Sequence, residues 1–244
     1  MNKSNGIVMP YKKEHGISYT FGAYTTIELL NTRPDAMRAV YIHSQYTAKE
    51  VLEKLCGEKH IPVLFSDRAF ERLNQKENSY VLGVFSKYTC RLHLGAPHVV
   101  LVNPGDMGNL GTILRTLAAM NIRDLGLITP AADILHPKTV RASIGALFHI
   151  QFAHFASFDD YRRQFDRPLY LFMLNGEAVL SGSFRPPTGP YTLVFGNEAT
   201  GLPDAFARYG TSVRIAQSPL VDSLNLSVAV GIGTFLFAAG DLGE

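Results

Sequence analysis

Three stretches of this 244-residue chain bring glycines, amides, hydroxyls and charges to spacings at which chemistry can be done. The first runs from Asn103 to Arg115, with glycines at 105, 108 and 111 and with Asn109 between the last two. Glycine lets the backbone turn tightly and approach a partner closely. A helix opening here would offer unpaired N–H groups to an anion. The spacing is GxxGxxG and not the GxGxxG of a dinucleotide fingerprint. The next strand also ends Leu127-Ile128-Thr129-Pro130, without an acidic residue, so the pattern speaks against a nicotinamide enzyme. Arg115 is expected on the apolar side of its helix, near Leu114 and Leu117, where a guanidinium must find a partner or reach a cleft. Phosphate recognition and structural pairing both suit it.

The second stretch, Gly196-Asn197-Glu198 followed by a glycine at 201, comes just after a buried apolar run. A carboxylate past the C-terminal end of a buried strand stands where ligands bind in open α/β sheets. A simple turn with Glu198 in water is the other reading. In the third stretch an apolar run ending at Ile215 passes into an irregular loop, and Ser223, Asn225 and Ser227 then precede a long apolar segment. Small polar groups at such a junction can cap a helix. They can equally line a small-molecule pocket.

Something must position these residues. The pattern after 97 alternates apolar strands at 98–102, 125–129, 169–174, 191–195 and 212–215 with helical segments at 110–120, 138–146, 159–165 and 204–209, closing on an apolar helix over 223–239. That alternation predicts an α/β fold with a parallel sheet covered on both faces. Residues 1–95 read as a separate small α/β unit, with strands at 39–42, 61–65 and 80–85 and helices at 47–56 and 67–73. In the first of these helices Val51, Leu52 and Leu55 share a face, and Gly57 is placed to stop it. A hinge at 94–97 separates the two, and 181–190 is a loop rich in glycine and proline.

Composition narrows the class. Hydrophobic residues make up 46% and charged residues 18%, enough for a packed core. Cys56 and Cys90 form no close pair, so reduced thiols are expected, and the eight histidines are scattered without metal-ligand spacing, so no metal is expected. The longest apolar stretch, 228–239, is shorter than the ~20 residues of a membrane span, and the polar N-terminus carries no signal-peptide pattern. A cytoplasmic protein is the expectation. Charge is uneven: residues 1–95 hold 13 Lys+Arg against 9 Asp+Glu (+4), and residues 96–244 hold 10 against 12 (−2). The basic excess marks the first part as the place to grip a polyanion.

Taken in order, G-N-x-G-x-x-x-R at 108–115, R-A-S-x-G-A at 141–146, G-N-E-x-x-G-L at 196–202 and S-L-N-x-S-V-A at 223–229 closely resemble the signature motifs of the SpoU/TrmH family of the SPOUT superfamily. These are RNA ribose 2′-O-methyltransferases. The resemblance covers roughly residues 97–240. Less specifically, residues 1–95 resemble the small RNA-binding domain that many members carry ahead of the methyltransferase domain, here 96–244, with 21–30 and 78–84 where its short motifs would fall.

The resemblance implies a deep C-terminal trefoil knot that binds S-adenosylmethionine, with Gly196, Ile215 and Leu224 touching the cofactor and Asn197 and Pro219 bordering it. It implies a homodimer whose active sites draw on both subunits, acting on rRNA or tRNA. It assigns Arg115 to the reacting hydroxyl and the RNA phosphate, with Asn109, Glu198, Ser223 and Asn225 as the other polar site positions. Arginine is effectively always protonated, so positioning phosphate and stabilising developing charge suits Arg115 better than taking a proton. Lys12, Lys13, Arg33 and Arg38 are candidate RNA contacts in the first part. The sequence departs from the family where Ile215-Ala216-Gln217 replaces Ile-Pro-Met and Pro219 replaces a frequent glycine. The competing reading is a non-catalytic RNA-binding or ribosome-assembly protein that keeps the fold.

Overall fold

A computed structural model describes residues 8–73, 79–176, 178–180 and 187–238. Most of the expected 181–190 loop and the start of the 78–84 motif lie outside those residues. The chain divides into two compact units. The first takes in residues 1–88 and also 133–148, and the second takes in 89–132 and 149–244. The sequence places a single boundary at 95/96. Contacts put it at Tyr88/Thr89 and add a detached segment that lies deep in the second unit's sequence.

The first unit is a four-stranded sheet of β1 (Ile17–Phe21), β2 (Met37–Ile42), β3 (Val63–Phe65) and β4 (Val81–Ser86), in the order β1-β4-β2-β3. β4 runs antiparallel to both β1 and β2, and β2 and β3 are parallel. Helices α1 (Ala23–Thr32), α2 (Lys49–Glu58) and α3 (Asp67–Arg72) join the strands. In α2 the buried side chains are Leu52 and Cys56, one turn apart, while Val51 is 63% exposed and Gly57 lies inside the helix. At the centre Thr20 Oγ1 accepts the Gly83 N–H at 3.0 Å, and a Cβ on Gly83 would stand 2.3 Å from that oxygen. Only glycine lets β4 pass there. The detached segment supplies α5 (Pro137–Ser143). It is tied to β1 by Ser18 Oγ, which donates to the Leu135 carbonyl, and to the chain ahead of β1 by Tyr11, whose hydroxyl donates to Asp133.

The second unit is an all-parallel sheet of seven strands, in the order β7-β6-β5-β10-β8-β11-β9. These are β5 (His98–Val102), β6 (Asp124–Ile128), β7 (Gln151–Phe155), β8 (Leu169–Phe172), β9 (Ala178–Leu180), β10 (Thr192–Phe195) and β11 (Thr211–Ile215). Every residue of β5, β6 and β10 is buried, as expected of strands covered on both faces. Helix α6 (Phe158–Gln164) covers one face, packing Phe158 and Tyr161 on Val100, Phe155, Leu171 and Val194. Helices α4 (Met107–Ala119) and α7 (Leu226–Ala238) pack together on the other, where Phe172 and Phe195 stack at 4.1 Å and Gly233 of α7 brings its backbone down onto Phe172. No helix is long and apolar enough among the described residues to cross a membrane.

Candidate active site

In a parallel sheet all strands point one way, so the loops after β5, β10 and β11 leave from one edge. β5 and β10 are neighbours, and β11 lies one strand beyond β10, across β8. The topology therefore gathers the three sequence motifs at the C-terminal edge of the strands, where open α/β sheets bind ligands.

Hydrogen bonds then join the motifs. The Glu198 carboxylate accepts the backbone N–H of Gly105 at 3.0 Å and of Asp106 at 3.1 Å, and the Asn109 amide at 3.5 Å. Partial burial pushes the Glu198 carboxyl up, but hydrogen bonds from the backbone N–H groups of Gly105, Glu198 and Asp106 and from the Asn109 side chain outweigh it. Its pKa stays below the usual glutamate value, and a carboxylate here also complements the start of α4. Asp106 caps that helix by accepting the Asn109 N–H at 2.7 Å. Asn109 Oδ1 in turn accepts the Asn225 amide at 3.1 Å, and Asn225 Oδ1 accepts the Ser227 N–H at 2.8 Å as α7 begins. Asn197 donates to the Asn103 carbonyl at 2.7 Å and accepts the Ala199 N–H at 2.8 Å. The simple-turn reading of Glu198 is thereby replaced: its carboxylate faces backbone donors of the first motif. Gly196 is also fixed from within, since a Cβ there would sit 2.1 Å from the Gly201 backbone where residues 197 and 201 bridge.

Beside this network opens a cavity of about 740 Å³, within the roughly 300–1,000 Å³ of small-molecule sites. Of the expected residues, Gly196, Asn197, Glu198, Ile215, Ser223 and Leu224 line it. Asn109 and Asn225 lie outside the lining and bond to each other, Asn109 also to Glu198, which is in it, and Pro219 is exposed outside it. Arg115 is not on the apolar side of α4. It is exposed, lies outside the cavity lining, and makes no hydrogen bond or ion pair with another described residue. The periodicity misleads because Leu114 and Leu117 are buried while Arg115, between them, turns the other way.

Sequence reasoning missed the wall supplied after β8, where Met173, Leu174 and Asn175 line the cavity and Asn175 donates to Asp204 at 2.9 Å. A parallel strand ending between β10 and β11 was the signal that could have found it. In the departed third motif, Gln217 donates to the Asp222 carbonyl at 3.2 Å and ties the loop across its neck, and both residues line the cavity.

The chemistry of this lining suits S-adenosylmethionine. Ile215, Leu224 and Leu226 offer apolar contact to an adenine, and Glu198, Asp204 and Asp222 set three carboxylates against one guanidinium, Arg214, around a ligand with a positive sulfonium and ammonium. Among the described residues no group of three or more His, Cys, Asp or Glu could hold a metal ion.

Fold and site together define an α/β methyltransferase of the SPOUT class, with its cofactor loops at the C-terminal edge of a parallel sheet. Residues 96–235 match the SpoU rRNA Methylase family, and the chain belongs to that family of S-adenosylmethionine-dependent RNA methyltransferases. It is 28% identical to the 23S rRNA (guanosine(2553)-2′-O)-methyltransferase RlmP of Bacillus subtilis, over 75% of this chain and 78% of that one. It is 27% identical to the uncharacterised tRNA/rRNA methyltransferase slr1673 of Synechocystis sp., over 89% of this chain and 76% of that one. The fold also matches the AdoMet-bound rRNA methyltransferase of Sinorhizobium meliloti, with a TM-score of 0.78 and 24% identity over 94% of this chain and 89% of that one.

Proposed function

We propose that this chain methylates a ribose 2′-hydroxyl in rRNA or tRNA, with the cofactor held in the cavity at the C-terminal edge of the strands and the knotted crossing of the family at β10 and β11. The observation that carries the reading is the hydrogen-bonded run Asn225–Asn109–Glu198–Gly105, which ties all three motifs together beside the cavity that Glu198 lines. S-adenosylmethionine supplies an electrophilic methyl group. Gly196, Ile215 and Leu224 hold the cofactor, Asn197 fastens the loop beside them, and Ser223 and Asn225 orient the ribose side. Arg115 binds the RNA phosphate and stabilises the charge that develops on the attacking oxygen.

An exposed arginine outside the lining needs a partner surface to reach the reaction. Helix α7 exposes Val228 (48%) and Phe235 (54%), seven residues and so about two turns apart on one face. A second copy packed on that face makes a homodimer and brings Arg115 of one protomer to the cavity of the other. The deciding test is transfer of radiolabelled methyl to total RNA from a strain lacking this protein, followed by nucleoside analysis. Label on a ribose 2′-oxygen is the expected result, and label confined to bases overturns it.

A further inference from the structure

The first unit holds a cavity of its own, about 420 Å³, beyond the C-terminal ends of the parallel pair β2 and β3. Its lining is His43, Ser44, Lys49, Phe65, Ser66 and Asp67, none of which has a part in methyl transfer. Phe65 ends the edge strand and is 57% exposed. Lys49 opens α2 and carries the cavity's one lysine charge.

The polar floor is built rather than incidental. Ser44 donates its backbone N–H and its hydroxyl to the two oxygens of Asp67, both at 2.7 Å. Those bonds hold the carboxyl below its usual pKa. The Gln45 N–H lies 3.2 Å from His43 Nδ1, and the same ring nitrogen stands 3.5 Å from Asp67. Phe70 and Tyr80 grip the His43 ring at 5.3 and 5.4 Å. Asp67 still exposes 46% of its side chain.

A bare anion does not suit a cavity with a carboxylate in its floor, and a purely apolar side chain leaves that carboxylate without use. A ligand with a flat π face, N–H donors along one edge and a nearby negative charge uses every group present. An unpaired nucleobase with its phosphate has those features, and proteins read single-stranded RNA by stacking such bases on aromatic rings. We propose that this cavity takes one splayed-out base of the RNA substrate, stacked on Phe65, with its N–H edge donating to Asp67 and a flanking phosphate on Lys49. The proposal rests on the RNA methyltransferase reading above and adds a second point of contact to it.

The chain contains no Trp, so a Phe65→Trp variant puts a single fluorescent reporter at the cavity mouth. The full-length variant is titrated with a short single-stranded RNA and with the same sequence as a duplex. Quenching by the single strand and not by the duplex is expected. Phe65→Ala and Asp67→Asn should each raise the KM for RNA, by about tenfold for the loss of stacking, with kcat and cofactor affinity unchanged. Two results overturn the site: a reporter that stays silent while filter retention shows RNA bound, or one that responds to protein concentration instead, which would assign Phe65 to a contact between copies. The two readings fail separately. RNA methylated without reporter quenching removes only the base site, and quenching without methylation of any RNA removes only the enzyme reading.

Discussion

The two edges of the seven-stranded sheet carry similar polar residues and put them to opposite uses. At the N-terminal edge, His98, Asp124 and Thr192 open β5, β6 and β10 and are buried. Their groups are consumed by Tyr161 and His93. His98 Nε2 donates to the His93 carbonyl at 2.8 Å, and His98 Nδ1 pairs with the Tyr161 hydroxyl at 2.9 Å. Thr192 meets that hydroxyl at 2.6 Å, and Asp124 accepts the His93 N–H at 2.7 Å. At the C-terminal edge Asn109, Glu198, Asn225 and Ser223 are half-buried or exposed, and the hydrogen bonds of the first three border an open cavity. A closed polar network fixes a fold, whereas one left open to a cavity still has groups to offer a ligand. Reading histidine and aspartate types alone would have picked the wrong edge.

Arg115→Ala should break the comparison most sharply. Methyl transfer is expected to fall on the order of 10³-fold while calorimetry still shows cofactor binding and the melting temperature is unchanged. Normal turnover would remove Arg115 from the reaction. Asn109→Ala should cost about 10²-fold, because it removes the link between Asn225 and Glu198 while Glu198 keeps its two backbone donors, and weakened cofactor binding should accompany it.

At the other edge the effects should fall on stability and leave kcat alone. Burial drives the His98 pKa from 6.5 to about 4, against the opposing hydrogen bond to His93. The folded form therefore resists a proton that the unfolded chain accepts. Stability from this group is complete above about pH 6.5 and is lost as pH falls toward about 4, by on the order of 3 kcal/mol in all. Urea denaturation of wild type and His98→Gln between pH 7 and 4 checks it, and equal slopes would refute it. Tyr161→Phe strands His98 and Thr192 and should cost about 1–3 kcal/mol. The smallest effect is expected from Gln217→Ala, which opens the loop neck and should raise the KM for the cofactor a few-fold with little change in kcat; a Glu replacement, unable to donate when ionised, should not restore it.

Much of the methyltransferase unit was legible because β5, β6 and β10 are buried on both faces and so read as unbroken apolar runs. β7 was not, since Gln151-Phe152-Ala153-His154-Phe155 lies at a sheet edge with mixed exposure, and its pattern is weak. Neighbouring residues can also trade burial once a helix is docked, as Val51 and Arg115 do, and periodicity cannot say which side the sheet will take. Arg33, expected to await RNA, instead donates to the Phe148 carbonyl at 3.0 Å and lies over the Tyr88 ring at 4.6 Å. Glu198, Asn109 and Asn225 stand out in the sequence as polar positions of three motifs, but their direct connection does not, because it spans 89 and 116 residues of sequence.

The segment 133–148 belongs with the first unit although the second unit flanks it on both sides. As the chain emerges from a ribosome, N-terminus first, β1 is made early but must wait until residue 148 has appeared before all of its partners exist. Cutting at the apparent boundary near 95 would yield a fragment missing α5 and a remainder carrying a helix with nowhere to dock. The two units are thus separable by contacts yet not by scissors, and a gene encoding either alone would have to be respliced rather than truncated.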